Sequence, residues 1–269
     1  MRAVLRYPGS KWRIADWIIN HMPEHHTYIE PYFGSGAVFF KKPPSNIELI
    51  NDIDGNIVNL YQLIRDDPER LANLIWLTPY ARAEYDAAFD DDERTDQFEK
   101  ARRFLIKCWM GYGSRISRYP GGWKNDVAAR ERAYALRHWN NLPEWFAEAS
   151  ERLKNTQIDN QPAIDVMKRF KQNGVLIYAD PPYLLNTRSG LQYKHEMTNA
   201  DHTDMLSVLI QHPGPVILSG YDNAIYNDVL IGWEKKAIKS NAEHGLHRIE
   251  TIWLNEQAKS FQMKIDHIL

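Results

Sequence analysis

The chain has a single cysteine, Cys108, among 269 residues. One thiol excludes an intramolecular disulfide and any metal site built on a cysteine cluster. Its apolar setting, Phe104-Leu105-Ile106-Lys107-Cys108-Trp109-Met110, is that of a core position. No apolar run approaches the ~20 residues that span a bilayer, so no membrane contact is expected. The N-terminus, Met1 to Arg13, lacks the apolar core of a secretory signal and reads as part of the fold. Together these deficits point to an intracellular, cytoplasmic protein. Internal repeats and low-complexity segments are also missing. The ten histidines include His25, His26, His202, His244 and His247, but they are scattered over separate elements without ligand spacing, so no metal is expected. His195 and His202 lie near the chemically most suggestive segment, and neither is expected to act directly.

A strong net charge is absent too: 33 Lys and Arg stand against 35 Asp and Glu, a formal −2. That balance conceals a steep asymmetry. Residues 84–99 carry eight acids against Arg94, and residues 100–137 carry ten bases against Asp126 and Glu131. A local surface for a polyanion needs such a segregation, although two helix faces pairing with one another would produce the same pattern.

The hydrophobic content of 43% and charged content of 25% are those of a globular protein, and the length suits one α/β domain with an insertion or two small domains. Thr27 to Tyr32 reads as a first strand, ending at Gly34-Ser35-Gly36 before an apolar helix start at Ala37. Ile47 to Ile50 is a short second strand. Ile57, Leu60, Tyr61 and Ile64 then follow at helical spacing, with Asp54 as N-cap. Strand, glycine turn, helix, strand and acid form the first half of a nucleotide-binding unit. From about residue 66 to 152 the pattern is helical, interrupted by the polar, glycine-rich stretch Gly111 to Trp123. Alternation resumes with Thr156–Ile158, a helix over about 162–170, a strand at 175–179, a helix over about 201–211 and a strand at Pro215–Ser219. Trp233–Ile238 and Ile249–Leu254 close the chain as two strands, expected to be antiparallel. The chain thus reads as an α/β sheet interrupted by a helical insert.

The most informative segment is the strand Val175 to Ala179, which stops at Asp180-Pro181-Pro182-Tyr183. Two prolines cannot continue a ladder, and Pro182 holds Pro181 extended. A carboxylate, an unclaimed backbone carbonyl and an aromatic ring therefore gather at the C-terminal end of one strand, the edge where open α/β sheets bind ligands. Two acceptors and a stacking ring suit a planar ligand with an exocyclic amino group. A tight turn leaving a strand is the alternative.

Several further blocks stand in order with this tetrad: Tyr7-Pro8-Gly9-Ser10-Lys11, Glu30-Pro31-Tyr32-Phe33-Gly34-Ser35-Gly36, Asn51-Asp52-Ile53, Tyr193 with Glu196-Met197-Thr198 and Asp201-His202, Val216 to Tyr221, and Glu250 to Asn255. In this order the chain resembles the Dam-like N6-adenine-specific DNA methyltransferases, in which the cofactor motif precedes a recognition insert and the catalytic tetrad follows. The resemblance implies a Rossmann-like S-adenosylmethionine-dependent methyltransferase sheet with helices on both faces. Residues 1–65 and 153–269 would form the catalytic domain, and residues 66–152 a helical DNA-recognition insert.

It also implies roles. Asp180, Pro181 and Tyr183 would be catalytic, acting on a flipped adenine in double-stranded DNA. Tyr7, Lys11, Glu30, Phe33, Gly34, Gly36, Asp52 and Asp180 would surround S-adenosyl-L-methionine, with Lys11 on its carboxylate and Asp52 on the ribose hydroxyls. Ile158 or Asp159 would touch its adenine. In the insert, Tyr112, Arg115, Arg118, Tyr119 and Lys124 are the candidate DNA contacts, and Trp123 a candidate wedge; Arg102, Arg103 and Lys107 are candidates for phosphate. The insert matches the family's recognition hairpin only loosely, so no target sequence follows. Rival substrates are cytosine N4, an RNA base or a glutamine side chain; a rival class is a DNA-binding protein without activity. The sequence does not distinguish a solitary enzyme from one with a restriction endonuclease partner, and a monomer is the default expectation.

Overall fold

The structure, a computed structural model, describes residues 1–90, 95–112, 121–125, 134–188, 190–241 and 247–259. Seven strands form one sheet in the order β3-β2-β1-β4-β5-β7-β6. They are β1 (Thr27–Glu30), β2 (Ile47–Asn51), β3 (Thr156–Asp159), β4 (Val175–Ala179), β5 (Val216–Gly220), β6 (Glu234–Asn241) and β7 (His247–Leu254). The first five in spatial order run parallel, β7 is antiparallel to β5, and β6 is antiparallel to β7. β1, β4 and β5 are buried along their whole length, as expected of central strands covered on both faces. The order reverses between β1 and β4, which pair with Thr27 opposite Val175 and Ile29 opposite Ile177. A crevice at the carboxyl ends of these two strands is therefore the topological switch point.

Helices cover both faces. Below the sheet, α8 (Ala163–Arg169), α9 (Asn199–Ile210) and α10 (Ala224–Val229) close a core containing Ile29, Val166, Leu206 and Trp253. α9 begins on a capping box, in which Thr198 and Asp201 satisfy each other's backbone amides. On the other face, α1 (Ala15–Ile19), α2 (Ala37–Lys41), α3 (Gly55–Asp66), α4 (Pro68–Trp76), α5 (Arg82–Ala87), α6 (Gln97–Met110) and α7 (Tyr134–Leu153) share one larger core; α11 (Glu256–Lys259) follows β7. The Asp54 side chain caps α3 by accepting from the Asn56 amide at 3.0 Å, as its position predicts.

Helices α4 to α7 are continuous with that core. Trp109 on α6 donates to the carbonyl of Val4, and Trp139 on α7 to that of Thr78. At the far end of α7, Arg152 reaches Glu48 on β2, which also accepts from the Lys42 ammonium at 2.6 Å. Glu48 and Lys42 are almost fully buried. Two cations on one carboxylate hold its pKa below the usual range although burial pushes the other way. α1 and α10 are not legible in the sequence, because each is too short to show a period.

Candidate active site

A cavity of about 310 Å3 opens at the switch point, within the range that holds small-molecule ligands. The loop after β1 forms one wall. Gly34 and Gly36 adopt positive φ, +50° and +63°. A Cβ on Gly36 would lie 2.4 Å from the Phe33 ring, whereas one on Gly34 would lie 3.2 Å from the Tyr7 ring. Only Gly34 lines the cavity; Gly36 sits behind it and permits the turn into α2.

Asp52, just past β2, clasps this loop. Its carboxylate accepts the Gly34 amide and the Asp54 amide, each at 2.9 Å. Burial raises its pKa to about 6, against the pull of those two amides. Glu30, at the end of β1, accepts the Tyr28 hydroxyl at 2.7 Å, and burial pushes its carboxyl up to about 8.

Opposite stands Asp180, delivered by the end of β4. Its Oδ2 pairs with Lys11 Nζ at 2.9 Å, and Lys11 also donates to the Gly9 carbonyl at 2.6 Å. Burial alone would lower the Lys11 pKa, but the charges of Asp180 and Glu250 outweigh it and hold the ammonium well above its ordinary value. Burial raises Asp180, with Lys11 opposing. Asp180 Oδ1 is buried and has no hydrogen-bond partner among the described residues. Asp180 lines the cavity, and the Tyr183 hydroxyl beside it also pulls its pKa down.

Tyr183 is buried behind this wall. Its hydroxyl donates to Glu250 at 2.8 Å and lies 3.2 Å from Ser219. Its ring meets Tyr221 edge-on at 4.6 Å and has the Lys11 ammonium 4.7 Å from its centroid. Glu250 has no role in the sequence reading, yet it anchors the tetrad's aromatic ring. The available signal is an acid inside the apolar strand Ile249 to Leu254.

The structure brings Tyr7, Lys11, Glu30, Phe33, Gly34, Asp52 and Asp180 onto one cavity. Pro181 and Tyr183 are buried beside it. Ile158 and Asp159 do not line the cavity, whereas Ile53, Pro162 and Ile164 do. His195 lines the cavity, while His202 is fully buried on α9 with Nδ1 2.8 Å from the Tyr226 hydroxyl; burial lowers its pKa to about 4. No metal-binding group of side chains occurs among the described residues, and none of the described helices is long and apolar enough to cross a membrane.

After α6, Tyr112 and Lys124 flank an isolated antiparallel bridge between Gly111 and Trp123: the Tyr112 amide donates to the Gly122 carbonyl and the Lys124 amide to that of Met110. The Tyr112 ring is half exposed. Arg115, Arg118 and Tyr119 fall outside the described residues. Trp123 packs on Tyr80 and beneath Arg82. Arg102 pairs with Glu84 and Glu99, and Arg103 with Glu99, so part of the charge asymmetry is internal pairing of helices.

Known proteins with this sequence pattern are consistent with the geometry. The DNA adenine methylase of Salmonella typhi is 25% identical over 246 residues, covering 83% of this chain and 82% of that one. The DNA adenine methylase of Escherichia coli K12 is 24% identical over 258 residues, covering 88% and 85%. The type II methyltransferase M1.LlaDCHI of Lactococcus lactis subsp. cremoris is 28% identical over 207 residues, covering 73% and 71%. Residues 7–246 match the D12 class N6 adenine-specific DNA methyltransferase family, from the Tyr7 block through the tetrad to the β6–β7 connection, and the chain belongs to that family.

Proposed function

We propose that S-adenosyl-L-methionine is the donor for this adenine-N6 methylation of DNA, that it lies in the cavity between β1 and β4, and that the target adenine is turned out of double-stranded DNA against Asp180. The observation that carries the reading is the buried, unpartnered Oδ1 of Asp180 beside a cavity of donor size. When bound, the donor supplies a methyl group on a positively charged sulfur. The cavity fits such a cation: Glu30, Asp52 and Asp180 surround it, and Lys11 is placed to meet a carboxylate.

The remaining chemistry belongs to the chain. An adenine amino group is a weak nucleophile because its lone pair is delocalised into the ring. Asp180 Oδ1 accepting one N–H, and the Pro181 carbonyl the other, draw the nitrogen toward tetrahedral geometry and localise that pair. Transfer then requires positioning and preorganised dipoles. Asp180, with its carboxyl raised by burial, is also placed to take the proton the nitrogen sheds. Tyr183, fixed by Glu250, lies buried behind the cavity wall and would meet the base once the ring is uncovered; stacking of this kind is worth ~1–3 kcal/mol per base. An adenine inside a duplex cannot reach Asp180, so it must be extruded.

Residues 66–152 act as the recognition insert on a catalytic body of residues 1–65 and 153–269, with Tyr112, Arg115, Arg118, Tyr119 and Lys124 toward DNA. The protein works as a cytoplasmic monomer, since one extruded base makes the substrate asymmetric. Asp180→Ala should abolish turnover while largely sparing donor binding measured by calorimetry. Asp180→Asn keeps the shape around Lys11 and serves as control against misfolding. Retained turnover in either variant would refute the role assigned to Asp180.

A further inference from the structure

The segment that follows the tetrad is tied down by an ion pair whose buried arginine, Arg188, lies off the cavity and whose acid, Glu196, lines it. The Arg188 side chain is 2% exposed. Its Nε donates to the Tyr183 carbonyl at 2.8 Å, and Nη1 to the Gly190 carbonyl at 2.8 Å. The Glu196 carboxylate receives both Nη1, at 3.2 Å, and Nη2. That carboxylate also accepts the amides of Gln192 at 2.7 Å and Tyr193 at 3.0 Å, shaping the turn that presents Tyr193.

Tyr193 then crosses to the N-terminal block. Its hydroxyl donates to the Pro8 carbonyl at 3.3 Å, and its ring lies 5.9 Å from that of Tyr7. It covers Gly9, where a Cβ would approach the hydroxyl to 2.4 Å. Lys194 adds a pair with Asp54 at 3.3 Å. From Gly9 the contacts return through Lys11 to Asp180. The connections therefore form a closed circuit around the cavity: tetrad, Arg188, Glu196, Tyr193, Gly9, Lys11, tetrad. Tyr193, His195, Glu196 and Met197 line the cavity, whereas Arg188 does not.

We propose that Arg188 is a positioning residue for methyl transfer, which through Glu196 sets Tyr193 and Met197 over the donor cavity while its Nε holds the carbonyl end of the tetrad. The inference rests on reading the cavity as the donor site. Its force comes from geometry that only a guanidinium supplies. Three nitrogens serve the Tyr183 carbonyl, the Gly190 carbonyl and a carboxylate in a planar fork, and a lysine ammonium at the same place cannot span all three. An exposed pair would contribute little, but removing one partner of a buried pair leaves the other charge stranded. Loss of Arg188 thus frees the strap from the tetrad at its midpoint.

The test compares wild type with Arg188→Met, Arg188→Lys and Glu196→Gln. Amide hydrogen exchange of the donor-free proteins is read together with donor KM and kcat on DNA. In Arg188→Met, exchange at Gln192 and Tyr193 should accelerate at least about tenfold while the amides of β1 and β4 keep their protection. Donor KM should rise and kcat fall, each by about tenfold, an effect of lost positioning. Arg188→Lys should fail to restore kcat, because charge without the fork does not hold the strap. Should Arg188→Met not fold, Glu196→Gln keeps the shape and should give the same localised exchange. Unchanged exchange at residues 192 and 193, or full recovery of kcat by lysine, would overturn the proposal. The exchange experiment needs neither donor nor DNA, so a wild-type protein inactive on DNA would sink the methyltransferase reading while the latch is still decided by exchange.

Discussion

Replacing Glu30 with glutamine probes the electrostatics on which the cavity depends. Glu30 is 3% exposed and shares the cavity with Asp180. Burial raises its carboxyl from 4.5 to about 8; Asp180 adds to the rise, and the Tyr28 hydroxyl and Lys42 oppose it. In the folded protein the group therefore keeps a proton that the unfolded chain has already lost. Stability is full below pH 4.5 and declines as pH climbs toward 8, above which it levels off. Each pKa unit corresponds to about 1.4 kcal/mol, so ionised Glu30 costs the empty fold on the order of 5 kcal/mol at alkaline pH. Glutamine keeps the shape and the acceptor for Tyr28 but cannot ionise. Urea unfolding followed by circular dichroism should show Glu30→Gln close to wild type at about pH 5 and several kcal/mol more stable at about pH 9. A cationic donor favours the carboxylate form, so calorimetry in buffers of different ionisation enthalpy should detect more proton release on donor binding to wild type than to the variant, in which only Asp52 and Asp180 remain to give up a proton. Parallel stability curves for the two proteins would refute the reasoning.

Glu48 carries the opposite sign. Its pKa is depressed by Arg152 and Lys42 despite burial, so its contribution is present above the unfolded value of 4.5 and fades as pH falls below it. Glu48→Ala strands the buried Lys42 and the partly buried Arg152 and should cost ~3–5 kcal/mol in urea unfolding; a loss under about 1 kcal/mol, the worth of an exposed pair, would show that the network does not fasten α7 to the sheet. In the insert, Arg115→Ala and Arg118→Ala should weaken DNA binding or relax site choice by about 1–3 kcal/mol per base contact, with donor affinity unchanged. Unaltered kinetics across several target sequences would place recognition elsewhere.

Much of the catalytic half is legible in the sequence because its signals are local. β4 is a continuous apolar run ended by two prolines, and α3 shows its period from Ile57 to Ile64 behind the cap at Asp54. The expected antiparallel pair at the end of the chain is β6 with β7. What stays hidden depends on contacts far apart in sequence. Glu250 lies 67 residues from the Tyr183 it anchors, and Tyr193 lies 185 residues from Pro8. No periodicity encodes such pairs. Charge counting over residues 84–137 also cannot separate a surface for DNA from Arg102 and Arg103 turned onto Glu84 and Glu99.

The most direct test of the account is the identity of the methylated product. The purified protein would be incubated with methyl-labelled S-adenosyl-L-methionine and unmethylated double-stranded DNA, and the DNA digested to nucleosides. The account predicts label in N6-methyldeoxyadenosine alone. Label in a cytosine derivative, or transfer to RNA or protein with none to DNA adenine, would contradict it.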